Sequence, residues 1–540
     1  MFTNDPGLPS KNPTQSVWLD ENPLKNYKSS EKPPKFTDIV VIGSGFSGAS
    51  ISYHLLVDPR TKINKDARNP ASHLTVTMLE AREPCGGATG RNGGHLIPSN
   101  HRDFIEDCKG GKVQEEFAVS NRLFEQIGAL EVKKFIEDSE IDCEFRFRGN
   151  LQVYEDKKEF EEDLVSLKEA RKWGIGGQQI YSHEDLVKEF GPNDFVGGIK
   201  IPGGQVFPAK LIWHMITKSI EQGLLLYSNT PVTKIDLASP AEVIGLALTN
   251  KPRPQGSQNV WKVTTENGDI IYTHNVVHAT NAYVSHLLKE FRSHVFPVRA
   301  QVISPAPQYC TNLFDYGLSL RYGLEYAIQR DYPKGRLIFG GRRTSSKTLE
   351  VDTANDAELN PDLCRDLRND LKTPQLGNIG NHPEIEYDLR EWTGIMGFSD
   401  DVYPYVGQLL GQDGALVGGQ YASVGFSGHG MPKCFRCGRE VARLISESYI
   451  APSDAVAIRN NSSSVKNTDY EYLRQMAEFS DQKATKKLDT SVWQPVGVHD
   501  IDTWDYPLPN AFKITPERMS SVNSANWANR TLIAIPDSKL

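Results

Sequence analysis

Asp38-Ile39-Val40-Val41-Ile42-Gly43-Ser44-Gly45-Phe46-Ser47-Gly48 decides how the chain folds. The β-branched run up to Ile42 is the pattern of a strand buried on both faces. A helix is expected at once from Ser47, through Ala49, Ile51, Leu55 and Leu56, ending near Asp58-Pro59. Between the two lies Gly-x-Gly-x-x-Gly, in the strand-to-helix context that gives this pattern its meaning. Gly43 permits the tight turn, Gly45 lets a pyrophosphate approach backbone N–H groups at the positive end of the helix, and Gly48 lets helix and strand pack closely.

Residues 58–73 are polar, and His73 to Glu80 reads as a second strand, which completes a strand-helix-strand unit with a surface insertion. Glu80 closes that strand, where a carboxylate can accept hydrogen bonds from an adenosine ribose. It lies 32 residues beyond Gly48, against about 20 in the usual spacing, and the polar insertion accounts for the excess.

The composition limits what such a chain can do. Its 540 residues are 38% hydrophobic and 24% charged, with mean hydropathy −0.46, as expected of a soluble globular protein with more than one folding unit. A net charge of −8, from 60 Lys and Arg against 68 Asp and Glu, leaves no basic excess for a nucleic-acid partner. No run approaches the roughly 20 apolar residues of a membrane span, and Asp5, Pro6, Pro9 and Lys11 stand where a secretory leader would be apolar. Seven scattered cysteines point to reduced thiols in an intracellular compartment. The chain ends in Ser538-Lys539-Leu540, a tripeptide read by the peroxisomal import receptor, so a peroxisomal location is expected.

Residues 1–35, rich in Pro, Asn, Ser and Lys, read as an extended arm. Charged amphipathic helices at Asn121 to Ser139 and Lys157 to Lys172 are expected at the periphery, around a strand at Leu151 to Tyr154. Further strands are expected at 231–235, 261–265, 270–272 and 275–279, with an antiparallel set between 297 and 345. A last strand near 415–420 and a helix over 434–448 follow, and 451–540 reads as a polar appendage with little core of its own.

Two further glycine-rich segments bear on chemistry. Gly86-Gly87-Ala88-Thr89-Gly90-Arg91-Asn92-Gly93-Gly94-His95 places five glycines and an arginine directly after the ribose-binding strand, offering N–H groups and a cation to phosphates and close approach to a flat ring. Gly425-Phe426-Ser427-Gly428-His429-Gly430-Met431 precedes a helix whose N-terminus can face electron-rich ring atoms.

With these motifs the sequence resembles, from about residue 36 to 450, the D-amino-acid oxidase superfamily of FAD-dependent oxidoreductases. The Asn-Gly-Gly-His form of the second loop looks most like fungal FAD-dependent oxidoreductases and bacterial γ-glutamylputrescine oxidases. The resemblance implies an α/β, Rossmann-type FAD-binding domain from 36–100, 205–296 and 391–450. Interleaved with it would be an α+β substrate domain from 101–204 and 297–390 with a mainly antiparallel sheet. It assigns FAD binding to Gly43, Gly45, Phe46, Ser47, Gly48, Glu80 and Ala81, to Thr89, Gly90, Arg91, Asn92, Gly93 and Gly94, to Val232, Ala279 and Thr280, and to Gly425, Phe426, Gly428, His429, Gly430 and Met431. Val232 would lie beside the adenine.

Relatives in the glycine oxidase branch commonly place a carboxylate-clamping arginine where this chain has Met396. A plain amine, or an amino acid held through other groups, is therefore expected. Arg342 and Arg343 are candidate substitute cations, although arginines at a strand end read first as surface residues. Hydride transfer from an amine to flavin N5 needs no strong acid or base, and His95 and Tyr326 are the candidates for positioning substrate. No metal site is expected: Cys434-x-x-Cys437 lacks a second pair and falls on a helix. The expected activity is oxidation of an amine or amino acid to an imine, with oxygen returning the flavin to its oxidised form and yielding hydrogen peroxide. A dehydrogenase using another acceptor and a non-catalytic flavin-binding protein are the alternatives.

Overall fold

The structure is a computed structural model; it describes residues 5–59, 61, 63, 73–246, 248, 251–255, 257–449 and 508–520. The insertion after residue 59, most of the C-terminal segment and the tripeptide Ser538 to Leu540 lie outside the described residues.

Two eight-stranded sheets carry the molecule. In the first, β1 (Phe36–Ile42) pairs in parallel with β2 (Val76–Leu79) on one side and β11 (Ile270–His278) on the other. Parallel pairing continues outward from β2 to β8 (Leu225–Tyr227) and from β11 to β18 (Leu416–Val424). Antiparallel β17 (Tyr405–Leu410) closes the β18 edge, while β9 (Val232–Leu237) and β10 (Trp261–Thr265) branch from β11. The runs expected at 270–272 and 275–279 are one continuous strand.

The second sheet runs β16 (Arg390–Ser399), β12 (Val295–Ser304), β15 (Leu337–Gly340), β14 (Glu325–Gln329), β13 (Gly317–Leu320), β4 (Asn150–Tyr154), β6 (Gly197–Ile201) and β5 (Gln179–Ser182). It is antiparallel except for β13 beside β4. A small ladder of β3 (His95–Leu96) and β7 (Gly204–Gln205) stands apart. Residues 391–399, allotted by sequence to the cofactor domain, instead belong to the second sheet: β16 pairs with β12 over ten residue pairs, from Arg390 opposite Ser304 to Ser399 opposite Val295. An uninterrupted ladder of that length outweighs any local composition signal.

The helix Phe46–Leu56 and the helix Cys434–Ser448 lie side by side behind the first sheet. Gly438 makes this possible, because a Cβ there would meet Ser50, whose hydroxyl donates to the Phe435 carbonyl at 2.8 Å. The long helix Lys112–Asp138 is not peripheral. It starts nine residues before the expected Asn121 and buries Phe124, Ala129, Val132 and Ile136 in the main core with Ile39, Val41 and Phe46. Charged residues hide this stripe in the sequence, and the core accommodates several of them by pairing: Glu125 with Lys433 at 2.7 Å and Glu131 with Arg439 at 3.0 Å.

Both terminal segments contribute to the core. The arm forms a 3₁₀ turn, Val17–Leu19, that buries Trp18 completely. Residues 508–520 bury Leu508, Ala511 and Phe512 in the main core, and Arg518 holds Asp401 with two nitrogens at 2.7 and 2.8 Å. That part of the expected appendage is thus integral. Among the described residues, no helix is long and apolar enough to cross a membrane.

Candidate functional site

The site forms where the ends of the first sheet's parallel strands meet the second sheet. Gly43 has φ +103°, and a Cβ on it would meet the Ala279 carbonyl oxygen at 2.7 Å, so no other residue fits the turn. Gly48 approaches the Gly43 carbonyl directly. Gly45 is different: a Cβ there would touch only the Thr89 hydroxyl, at 3.3 Å. As N-cap it brings no side chain to the helix Phe46–Leu56, and the Phe46 N–H donates to Thr89 at 3.1 Å. With the Phe46 N–H taken by Thr89, the positive end of the helix lies beside Gly45, where a pyrophosphate can approach the backbone closely. Ser47 turns inward, its hydroxyl 3.3 Å from that of Ser423 and 3.6 Å from the Cys434 sulfur.

Glu80 is buried at the end of β2. One carboxylate oxygen accepts from the Ser44 N–H (2.9 Å) and hydroxyl (2.6 Å), and the other from the Arg82 N–H (2.9 Å), past the half-buried Ala81. Val232 packs with Ile42 and Leu79, next to that strand end. Thr280 follows Ala279, and its buried hydroxyl has no hydrogen-bond partner among the described residues. These groups fit an adenosine diphosphate moiety: a carboxylate at ribose height, an apolar bed beside it and an orphaned hydroxyl near the turn.

The second loop contains a 3₁₀ turn, Ala88–Arg91. Its carbonyls are pinned by two tryptophans: Trp18 Nε1 donates to Asn92 at 2.7 Å and Trp392 Nε1 to Arg91 at 2.9 Å. A Cβ on Gly90 would run into the Cys85 carbonyl, one on Gly93 into the Tyr326 ring, and one on Gly94 would meet Ile328 at 2.7 Å. Asn92 caps the bend by accepting from the Gly94 N–H at 2.7 Å. Arg91 corrects the expectation of a cation held out to phosphates. Its Nε donates to Gly86 (2.9 Å) and its Nη1 to Thr14 (2.7 Å) and Thr393 (3.0 Å). Burial lowers its pKa to about 10, with Arg82 adding to the effect. This guanidinium ties the loop to the arm and to β16.

The closing segment turns through left-handed backbone at Gly425 (φ +75°), Ser427 (φ +50°) and Gly428 (φ +79°). Asn281 Oδ1 accepts from the Gly425 N–H at 2.9 Å and the Phe426 N–H at 3.4 Å, and Phe426 is buried in the core. Gly430 receives the N–H groups of Lys433 (3.0 Å) and Cys434 (2.8 Å), while Met431 packs half-buried against the core. Gly428 and His429 are exposed, and the His429 ring lies 3.3 Å from Glu125. Burial would raise the Glu125 pKa, but Lys433 and His429 hold it far below the usual carboxylate range.

On the second sheet's side, His95 and Tyr326 meet edge to face at 5.5 Å between ring centres. Burial pushes the His95 pKa down to about 4 and that of Tyr326 up to about 12, so both are neutral near pH 7. Among the described residues, His95 Nε2 has no hydrogen-bond partner within normal geometry, while backbone at Ala327 and Gly93 partly counters the fall in its pKa. Met396 faces the closing segment, its sulfur 3.4 Å from where a Gly428 Cβ would stand, with Phe398 beside it at 3.8 Å.

The two arginines expected at a surface strand end are both half-buried. Arg342 takes φ +60° and is ion-paired with Asp370, whereas Arg343 lies 5.5 Å over the Phe398 ring. Among the described residues, no group of three or more His, Cys, Asp or Glu side chains is placed to hold a metal, and Cys434 and Cys437 are buried thiols with raised pKa values. Sequence reasoning missed the two tryptophans and Asn281. Their roles depend on long-range contacts that carry no local pattern.

A family model described as FAD dependent oxidoreductase matches residues 38–444. The chain is 24% identical over 429 residues to gamma-glutamylputrescine oxidoreductase of Escherichia coli (strain K12), covering 76% of this chain and 83% of that protein. Among solved structures, glycine oxidase from Bacillus cereus superposes with a TM-score of 0.55 at 18% identity, covering 78% of this chain and 97% of that one. Iminodiacetate oxidase from Chelativorans gives 0.54 at 16% identity, covering 75% and 95%. At such identities the structural likeness establishes the fold.

Proposed function

The chain belongs to the family of FAD-dependent oxidoreductases, and from that premise we propose that it oxidises the C–N bond of an amine or amino acid to an imine, with oxygen as electron acceptor and hydrogen peroxide as product. FAD is its cofactor. When bound, FAD would supply a two-electron acceptor for hydride from the substrate carbon.

The observation that carries this reading is the His95–Tyr326 pair packed on the Gly93 turn, both rings neutral, together with apolar Met396 and Phe398 beside the Gly428 turn. A neutral imidazole and a neutral phenol can accept and donate hydrogen bonds to an amine without imposing a charge on it. Apolar Met396 and Phe398 exclude water and orient the substrate carbon. Such residues position a substrate for hydride removal. The similarity to gamma-glutamylputrescine oxidoreductase supports an amine as substrate.

The test is anaerobic flavin bleaching against primary, secondary and acylated polyamines beside α-amino acids, followed by admission of air. Rapid bleaching and reoxidation with stoichiometric peroxide are expected. Bleaching followed by sluggish reoxidation removes oxygen as acceptor, and a flavin that no amine bleaches overturns the reading. The tripeptide Ser538-Lys539-Leu540 supports a peroxisomal site of action, where peroxide is destroyed. Deleting these three residues from a fluorescent fusion is expected to release it to the cytosol; unchanged punctate fluorescence would remove the assignment.

A further inference from the structure

We propose that His429 is the base that takes a proton from the substrate's ammonium group before hydride is removed, and that Glu125 is the positioning residue that aims its imidazole. The inference rests on the amine-oxidation reading and adds a proton acceptor to it. Hydride leaves the carbon only when the neighbouring nitrogen can supply a lone pair to the new C=N bond. An alkylamine, with a pKa of about 10 like that of lysine, reaches a neutral solution with that pair held in an N–H bond.

Glu125 lies on the helix Lys112–Asp138 with its side chain fully buried, and donors from three stretches of chain converge on it. Its Oε2 accepts from the Ser99 N–H at 2.6 Å, just beyond β3, and from His429 Nδ1–H at 3.3 Å. Its Oε1 accepts from Lys433 Nζ at 2.7 Å and from Asn121 Nδ2 at 3.3 Å. Lys433, only 4% exposed, is thus spent on one oxygen, and the other is left to the imidazole. Against the rise that burial alone would cause, Lys433 and His429 keep this carboxyl ionised.

A carboxylate at Nδ1 sets the tautomer: Nδ1 keeps the hydrogen and Nε2 keeps the lone pair. The His429 side chain is 49% exposed and follows Gly428, the turn against which Met396 and Phe398 stand. Its ring therefore joins a buried carboxylate on one edge to an open surface on the other. The groups nearby cannot take this part. At about 4, His95 is too weak a base near neutral pH, and at about 12, Tyr326 keeps its proton. Imidazole is the side chain whose ordinary pKa falls between about 5 and 8. In the step, an N–H bond of the ammonium breaks and an Nε2–H bond forms. The electron pair stays on the substrate nitrogen, the imidazolium faces the Glu125 carboxylate, and the proton passes to water from the exposed edge.

Two measurements on the holoenzyme test this. In the oxidised resting protein, histidine nitrogen resonances should show His429, identified by its loss in His429→Asn, with hydrogen on Nδ1; Glu125→Gln should shift it toward the Nε2–H form. In anaerobic bleaching with the amines and amino acids named above, His429→Ala should slow flavin reduction about 100-fold at unchanged flavin content, and added imidazole should restore part of the rate. Glu125→Gln should slow reduction about tenfold without rescue by imidazole, and Glu125→Asp should recover part of that loss. Hydrogen on Nε2 of His429 in the wild type, bleaching of His429→Ala at the wild-type rate, or a slowed His429→Ala that imidazole does not rescue would each overturn the proposal and leave amine oxidation standing. A wild-type flavin that no amine bleaches would remove the oxidase reading, and the base with it.

Discussion

The nucleotide half of the site and the second-sheet side differ in how their polar groups are held. Around Gly43 to Gly48, Glu80 and the 86–94 loop, most side chains are already bonded, Glu80 to Ser44 and Arg82, Thr89 to Phe46 and Arg91 to three carbonyls, with the Thr280 hydroxyl left open at the turn. On the second-sheet side, among the described residues, no carboxylate pairs with the Arg343 guanidinium over Phe398 and His95 Nε2 meets no partner within normal geometry. Side-chain bonds shape the nucleotide cradle in advance, whereas the second-sheet side keeps more of its groups open.

The sharpest break in this contrast is expected at the glycines. Gly48→Val collides with the Gly43 backbone and should prevent accumulation of folded protein, whereas Gly45→Leu meets only a flexible hydroxyl and should fold without flavin. Circular dichroism beside absorbance at 450 nm separates the two; a yellow Gly45→Leu protein would remove the pyrophosphate assignment. Trp18→Ala empties a fully buried site and frees the Asn92 carbonyl, and is expected to lower stability by about 3–5 kcal/mol, read as the urea midpoint of the holoprotein. A loss below about 1 kcal/mol would mean that the arm does not support the loop.

Two of the buried histidines with depressed pKa values, His95 and His278, give a signature in pH. His278 Nε2 donates to Gln420 Oε1 (2.7 Å), and burial lowers its pKa to about 4, as it does for His95. A lowered folded-state pKa means that the unfolded chain takes up protons first, so stability is intact above about pH 6.5 and falls as pH drops to about 4. Each histidine contributes roughly 3 kcal/mol to that fall. Chemical denaturation at pH 7 and pH 4.5 checks the slope, and His278→Gln should reduce it; an unchanged slope would locate the acid sensitivity elsewhere. The smallest effect is expected at His429, whose pairing with Glu125 is largely exposed on its own side. His429→Asn should change stability by less than about 1 kcal/mol in the same assay.

The same contrast marks what the residues themselves reveal. The strand-turn-helix at Asp38 to Leu56 is legible because backbone conformation there demands glycine at fixed spacing, and the structure places the helix start within one residue of the expected Ser47. The membership of β16 in the second sheet was not legible, because pairing with β12 is decided across the long intervening chain from 305 to 389. Arg342 and Arg343 look alike in sequence, and only the φ of +60° at the first tells them apart. The core stripe of Lys112–Asp138 was masked by charges whose partners, Lys433 and Arg439, lie some three hundred residues away.

The arm has a consequence of its own. Thr14 accepts from Arg91 and Trp18 donates to Asn92, so the N-terminal segment and the glycine-rich loop share bonds that neither can keep without the other. Docking of the arm and retention of FAD are therefore reciprocal equilibria: each strengthens the other by the same free energy. A chain whose arm is displaced should release flavin faster, and a chain saturated with flavin should shield residues 5–20 from proteases, so limited digestion with and without added FAD measures the same coupling from its two ends.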